Sequence, residues 1–143
     1  MYFNKYKLDT NLSKYEIVER LNKITNTGNI PLFKINFTEK VFHGKINGET
    51  FSVSQAIKGR NSFIPIINGE IISGDKNEII LKMRLQYISI LIIILFTTLI
   101  TWSLLKDFYF GSLFFLLFIY GMTIYFYLNE CRNVKKIFDE NFR

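Results

Sequence analysis

The sequence predicts an α+β membrane protein. It reads as a small antiparallel β-meander with one N-terminal amphipathic helix, a two-helix transmembrane hairpin, and a C-terminal cytoplasmic helix docking on the sheet. Three observations carry this. Tyr87 to Leu105 and Phe108 to Leu128 are uncharged, with only Lys106 and Asp107 between them. At about 1.5 Å per helical residue each run reaches roughly 30 Å, the thickness of a bilayer's hydrocarbon core. Upstream, apolar and polar residues alternate around Asn-Gly dipeptides, as in paired strands. Downstream, apolar residues return at helical spacing among charges.

The two runs lack a polar face and are too long for core helices in a protein of 143 residues. The chain therefore divides into a cytoplasmic α+β domain (1–86), the hairpin (87–105 and 108–128) and a cytoplasmic helix (129–143). The first residues, MYFNKYKLDT, hold no apolar run of signal-peptide length, so the first span is expected to direct insertion. Residues 1–86 carry 13 Lys/Arg and 8 Asp/Glu, and residues 129–143 carry 4 and 3. Lys82, Arg84, Arg132, Lys135 and Lys136 flank the spans, which predicts both termini on the cytoplasmic side of a bacterial inner membrane. The same five cations favour an anionic inner leaflet by about 1 kcal/mol each. The net charge of +6 is thus accounted for by topology, and no basic helix or aromatic-basic strand points to nucleic acid.

Taken in order, residues 2–8 predict a first strand. Ser13 and Glu16 form a capping box, Leu12 and Ile17 a hydrophobic staple, and Ile17, Val18, Leu21 and Ile24 one apolar stripe. The helix over 13–25 is expected to stop at Asn26-Thr27-Gly28, with Gly28 in the left-handed cap. Phe33, Ile35 and Phe37 alternate as a strand. Asn47-Gly48 and Asn68-Gly69 predict two hairpins with two-residue turns. Across the first, Ile46 faces Glu49, Gly44 faces Phe51 and Phe42 faces Val53, with Phe51 covering Gly44, while His43, Lys45, Thr50 and Ser52 face solvent. The second runs from Ser62 to Ser73, with Pro65 marking an edge or bulge. A turn at Gly74–Asn77 leads to a last strand, Glu78 to Leu85, that enters Tyr87 without a linker. Cys131, Val134, Ile137, Phe138 and Phe142 then share a helical face, which the second spanning helix or a kinked continuation of it is expected to lay on the sheet.

Little in the chain carries chemistry. One His and one Cys, His43 and Cys131, stand 88 positions apart, so neither a metal site nor a proton-transfer pair is expected. A single cysteine excludes an intrachain disulfide, and no phosphate-cradling glycine loop occurs. Neither span holds an ionisable residue in its uncharged run, which leaves a proton relay no material. The protein is read as a non-enzyme without cofactor. Thr97, Thr101, Gly111 and Gly121 are the expected helix-packing positions, and a second copy can use the same surface.

The segment Arg60 to Ile71 (RNSFIPIINGEI) resembles a pattern in small uncharacterised bacterial membrane proteins, where Arg-Asn-Ser-Phe precedes a Pro-containing hairpin. More loosely, the order strand, helix, meander and C-terminal helix is similar to a reduced START-like (helix-grip) domain, whose helix and curved sheet enclose an apolar ligand. Three functions stay open. One is a sheet domain held at the membrane for a protein partner or lipid, with Arg60, Asn61, Phe63 and Pro65 as candidate contacts. Another is an immunity- or toxin-type factor acting through its hairpin. The last is a START-like apolar-ligand binder.

Overall fold

The computed structural model describes residues 4–28, 40–56, 63–74, 76–106 and 110–143. Strand β1 (Asn4–Thr10) alternates as the sequence does, turning Leu8 and Thr10 inward. Helix α1 (Lys14–Ile24) opens on the capping box: Ser13 Oγ accepts the Glu16 amide at 3.3 Å, and the Glu16 carboxylate accepts the Ser13 amide at 2.7 Å. Its stop differs from the expectation. Thr25 is already extended, and the chain passes straight into β2 (Thr25–Thr27), with Gly28 outside the left-handed region. Lys40 Nζ caps the helix instead, donating to the carbonyls of Asn22 at 2.9 Å and Thr25 at 3.1 Å. The expected strand around Phe33, Ile35 and Phe37 lies outside the described residues.

Strands β3 (Phe42–Asn47), β4 (Thr50–Gln55), β5 (Ile66–Ile72) and β6 (Asn77–Arg84) form an antiparallel meander. β1 pairs antiparallel with β6 at one edge, and β2 pairs parallel with β3 at the other, giving a six-stranded sheet in the order β1-β6-β5-β4-β3-β2. The sheet is mixed, where the sequence predicted a purely antiparallel one.

Two hairpin expectations are corrected. In the first, Asn47 pairs with Thr50 and Ile46 with Phe51, so the turn pair is Gly48-Glu49 and the register moves by two. Gly48, at φ +59°, takes the first central position of that turn. An even shift leaves every residue on its own face. In the second, Asn68-Gly69 is no turn: β5 runs through it, with Gly69 between Phe51 of β4 and Leu81 of β6. The glycine is used for clearance, since a Cβ there would fall 1.9 Å from Phe51 Cζ. Phe51 therefore covers Gly69, not Gly44. Gly44 is needed for its own reason: a Cβ would meet the Ser52 carbonyl oxygen at 2.1 Å. His43, expected in solvent, is buried at 9% exposure, and its neighbour in register, Ser54, is wholly buried.

Helix α2 (Tyr87–Lys106) and helix α3 (Phe110–Phe142) complete the chain. α3 is one continuous helix of 33 residues, so the second apolar run and the predicted C-terminal helix are a single element. Its later half buries Tyr127, Cys131, Val134, Phe138 and Phe142, spaced three or four residues apart, in one core with Leu8, Ile17, Leu21, Val53 and Leu81. Rings fill the space between helices and sheet: Phe138 lies 5.4 Å from Phe42, 6.0 Å from Phe51 and 5.4 Å from Phe142.

α2 and α3 are both long and apolar enough to cross a membrane. Only 6% and 11% of their most apolar stretches are buried within the fold, unlike the core helices of a soluble protein. Leu91, Leu95, Leu99, Trp102 and Leu105 stand exposed on α2, as do Phe114, Leu117 and Phe118 on α3. Apolar surface on that scale calls for an apolar surrounding.

Candidate functional site

The site with most structure behind it is the end of the sheet from which α2 leaves. β6 ends at Arg84, and only Leu85 and Gln86 separate it from α2. Both are buried at 8% exposure, and the Gln86 carbonyl accepts the amides of Ser89 at 3.1 Å and Ile90 at 3.2 Å. A junction buried and bonded in this way cannot serve as a hinge. The Arg84 guanidinium lies over the Tyr87 ring, 4.3 Å from its centroid, while Tyr87 itself is 71% exposed.

α3 returns to the same end. Phe63 stacks on Phe126 at 5.6 Å and 22°, tying the segment before β5 to the helix. Ile64 and Pro65 beside it are buried. Pro65 precedes β5 rather than lying within it, which is where a missing amide costs no ladder bond. Of the four candidate partner contacts, Phe63 and Pro65 are thus turned to internal packing. Arg60 and Asn61 lie outside the described residues.

Further along α3, Lys135 Nζ donates to Asn4 Oδ1 at 3.2 Å and sits 5.3 Å from the Tyr6 ring centroid. The Tyr6 hydroxyl donates to both carboxylate oxygens of Asp139, at 2.8 and 2.9 Å, and Asp139 also meets Arg143 at 3.1 Å. Burial first, and the Asp139 carboxylate second, push the Tyr6 hydroxyl pKa up. Thr10 Oγ1 closes the row by donating to the Phe142 carbonyl at 2.5 Å. This seam between β1 and α3 escaped sequence reasoning, because its partners stand more than 130 positions apart and no local pattern links them.

The flanking cations divide by role. Lys82 pairs with Glu70 at 3.6 Å, Lys136 with Glu140 at 3.8 Å, Lys135 is engaged with β1, and Arg132 is exposed. Arg84 alone of the five combines partial burial with an unsatisfied donor: its Nη1 is buried without a hydrogen-bond partner.

Between α2 and α3, Thr97 Oγ1 and the Tyr120 hydroxyl share a hydrogen bond of 2.8 Å. Thr101 turns its hydroxyl back to the Thr97 carbonyl at 2.8 Å. Gly111 and Gly121 are exposed, and a Cβ on Gly121 would meet nothing within 4 Å, so no close helix approach is made at Gly121. Among the described residues no three His, Cys, Asp or Glu side chains gather where a metal could be held. Burial raises the Cys131 thiol pKa, keeping the sulfur protonated and poorly nucleophilic at neutral pH.

The class these features define is an α+β protein whose mixed sheet continues directly into helices able to span a membrane. Comparison with protein-family models, with curated proteins and with solved structures finds no match to this chain.

Proposed function

We propose that this chain is a non-enzymatic integral membrane protein of a bacterial inner membrane. It holds its sheet domain against the cytoplasmic leaflet, both termini inside, as an accessory subunit for a protein partner or lipid. One observation carries the reading: the sheet joins the spanning helices twice without a flexible segment, at Leu85-Gln86 and along the uninterrupted α3. A domain so held keeps one orientation to the bilayer, which suits presentation of a surface rather than turnover of a substrate. A START-like carrier would need a hollow between α1 and the sheet, where Ile17 and Leu21 of α1 are wholly buried in one core with Val53 and Leu81.

The test is accessibility of introduced thiols in intact cells. The native Cys131 is buried and protonated, so it stays silent. A membrane-impermeant maleimide should label Lys106→Cys directly and Lys45→Cys only after permeabilisation. Equal labelling of the two, or a protein that remains soluble without detergent, would overturn the proposal. A growth phenotype surviving deletion of the chain up to Gln86 would instead move the function to the hairpin.

A further inference from the structure

We infer that Arg84, with Tyr87 as its platform, is a binding site for the phosphate of an anionic phospholipid. The inference rests on the membrane reading above and gives the lipid contact a specific residue and headgroup chemistry.

Arg84 Nη1 is enclosed and has no acceptor, although a guanidinium loses much solvation on burial and regains it only through charge-assisted hydrogen bonds. The carboxylates on its face of the sheet are committed elsewhere. Glu70 lies 3.6 Å from Lys82, Glu78 lies 2.5 Å from Lys7, and Asp9 stands at the far end of β1. The first turn of α2 contains no acidic residue either. No described carboxylate is therefore left for Arg84, and its side chain keeps partial exposure although Nη1 itself is enclosed.

Position says what kind of acceptor this is. Arg84 stands three residues before the start of a helix whose only charge is Lys106 at its far end, and the ring it covers is the largely exposed Tyr87. Tyrosine at the first turn of a spanning helix marks headgroup depth. A cation stacked on that ring lies at the level of the lipid phosphates, and a phosphate would meet the exposed part of the side chain rather than the enclosed Nη1. The planar fork of arginine matches two phosphate oxygens, while the ring fixes its plane. Lys82, two residues back, is already paired with Glu70.

The full chain in a neutral detergent, titrated with short-chain phosphatidylglycerol, tests this. Diacylglycerol and inorganic phosphate serve as separate arms. Saturable binding of phosphatidylglycerol is expected, with little binding of either control ligand. Arg84→Gln should weaken it by at least about tenfold, as for loss of a charged hydrogen-bond donor. Arg84→Lys keeps the charge but loses the fork and should still weaken binding severalfold, and it decides the matter if Arg84→Gln does not fold. Lys45→Gln, an exposed cation on the same face, should bind as the parent does. Unchanged affinity in Arg84→Lys, equal binding of diacylglycerol, or inorganic phosphate binding as tightly as the lipid would each overturn the site. Those outcomes in a protein that passes the thiol-labelling test would leave the membrane reading standing and remove this inference alone.

Discussion

Gly69 and Cys131 show how single positions take their role from neighbours far away in sequence. Beside Asn68, the glycine has the composition of a turn, yet it is flanked by strands on both sides and gives room to the Phe51 ring. That ring is 4% exposed and lies against Phe138, so it cannot retreat. Gly69→Ala should cost about 1–3 kcal/mol, as overpacking does, read as a lowered melting temperature in detergent. Phe51→Leu in the same chain should recover part of the loss, a coupling that independent sites would not show. Cys131 makes a pH prediction. Burial lifts its thiol above the ordinary 9.0, so the folded protein keeps a proton that the unfolded chain gives up. That stability is complete below pH 9.0 and declines as pH rises through it toward the raised folded value. Replacing Cys131 with Ala should flatten this alkaline decline.

At the level of elements, legibility followed the range of the interactions. α1 was readable because its determinants are local: Ser13 and Glu16 satisfy each other's amides within one turn. Ser13→Ala should cost roughly 1 kcal/mol of stability. Glu16 adds an acid-side signature, since bonding to the Ser13 hydroxyl and amide holds its carboxyl below the usual 4.5. A lowered folded value gives stability that is present above 4.5 and lost as pH falls through the folded value, and Ser13→Ala, which removes the hydroxyl but keeps the amide, should weaken that dependence. The end of α1 was misread because its cap comes from Lys40, beyond a segment of eleven undescribed residues, rather than from Gly28. The second hairpin was misread for a related reason: turn chemistry at Asn68-Gly69 yields to ladder bonds with two neighbouring strands. The apolar stripe from Cys131 to Phe142 was legible, and so was its emergence from the second apolar run, but not whether the helix would kink between them; α3 runs unbroken. Helical spacing records which face is buried, not whether the axis is interrupted. Phe138→Ala, which removes the ring shared by Phe42, Phe51 and Phe142, should cost about 3–5 kcal/mol.

For the whole molecule, the consequence lies in how the two halves depend on each other. The predicted topology sets the side on which Lys106 and Lys45 stand, and the labelling experiment reads it directly. The candidate site was only half visible in the sequence. The flanking cations and the missing linker could be seen, but the isolation of Arg84 emerges only once Lys82 and Lys135 are found to have other partners. Removing residues 129–143 should leave the core face of the sheet open and yield a protein that inserts but aggregates through its soluble half, measurable by size-exclusion chromatography in detergent. Tyr6 meets Asp139 across 133 positions, and between them the ribosome must make both apolar helices. The helical wall that closes the core face of the sheet is thus translated after both apolar helices. Until both have been made, the sheet stays unfinished, its core face uncovered.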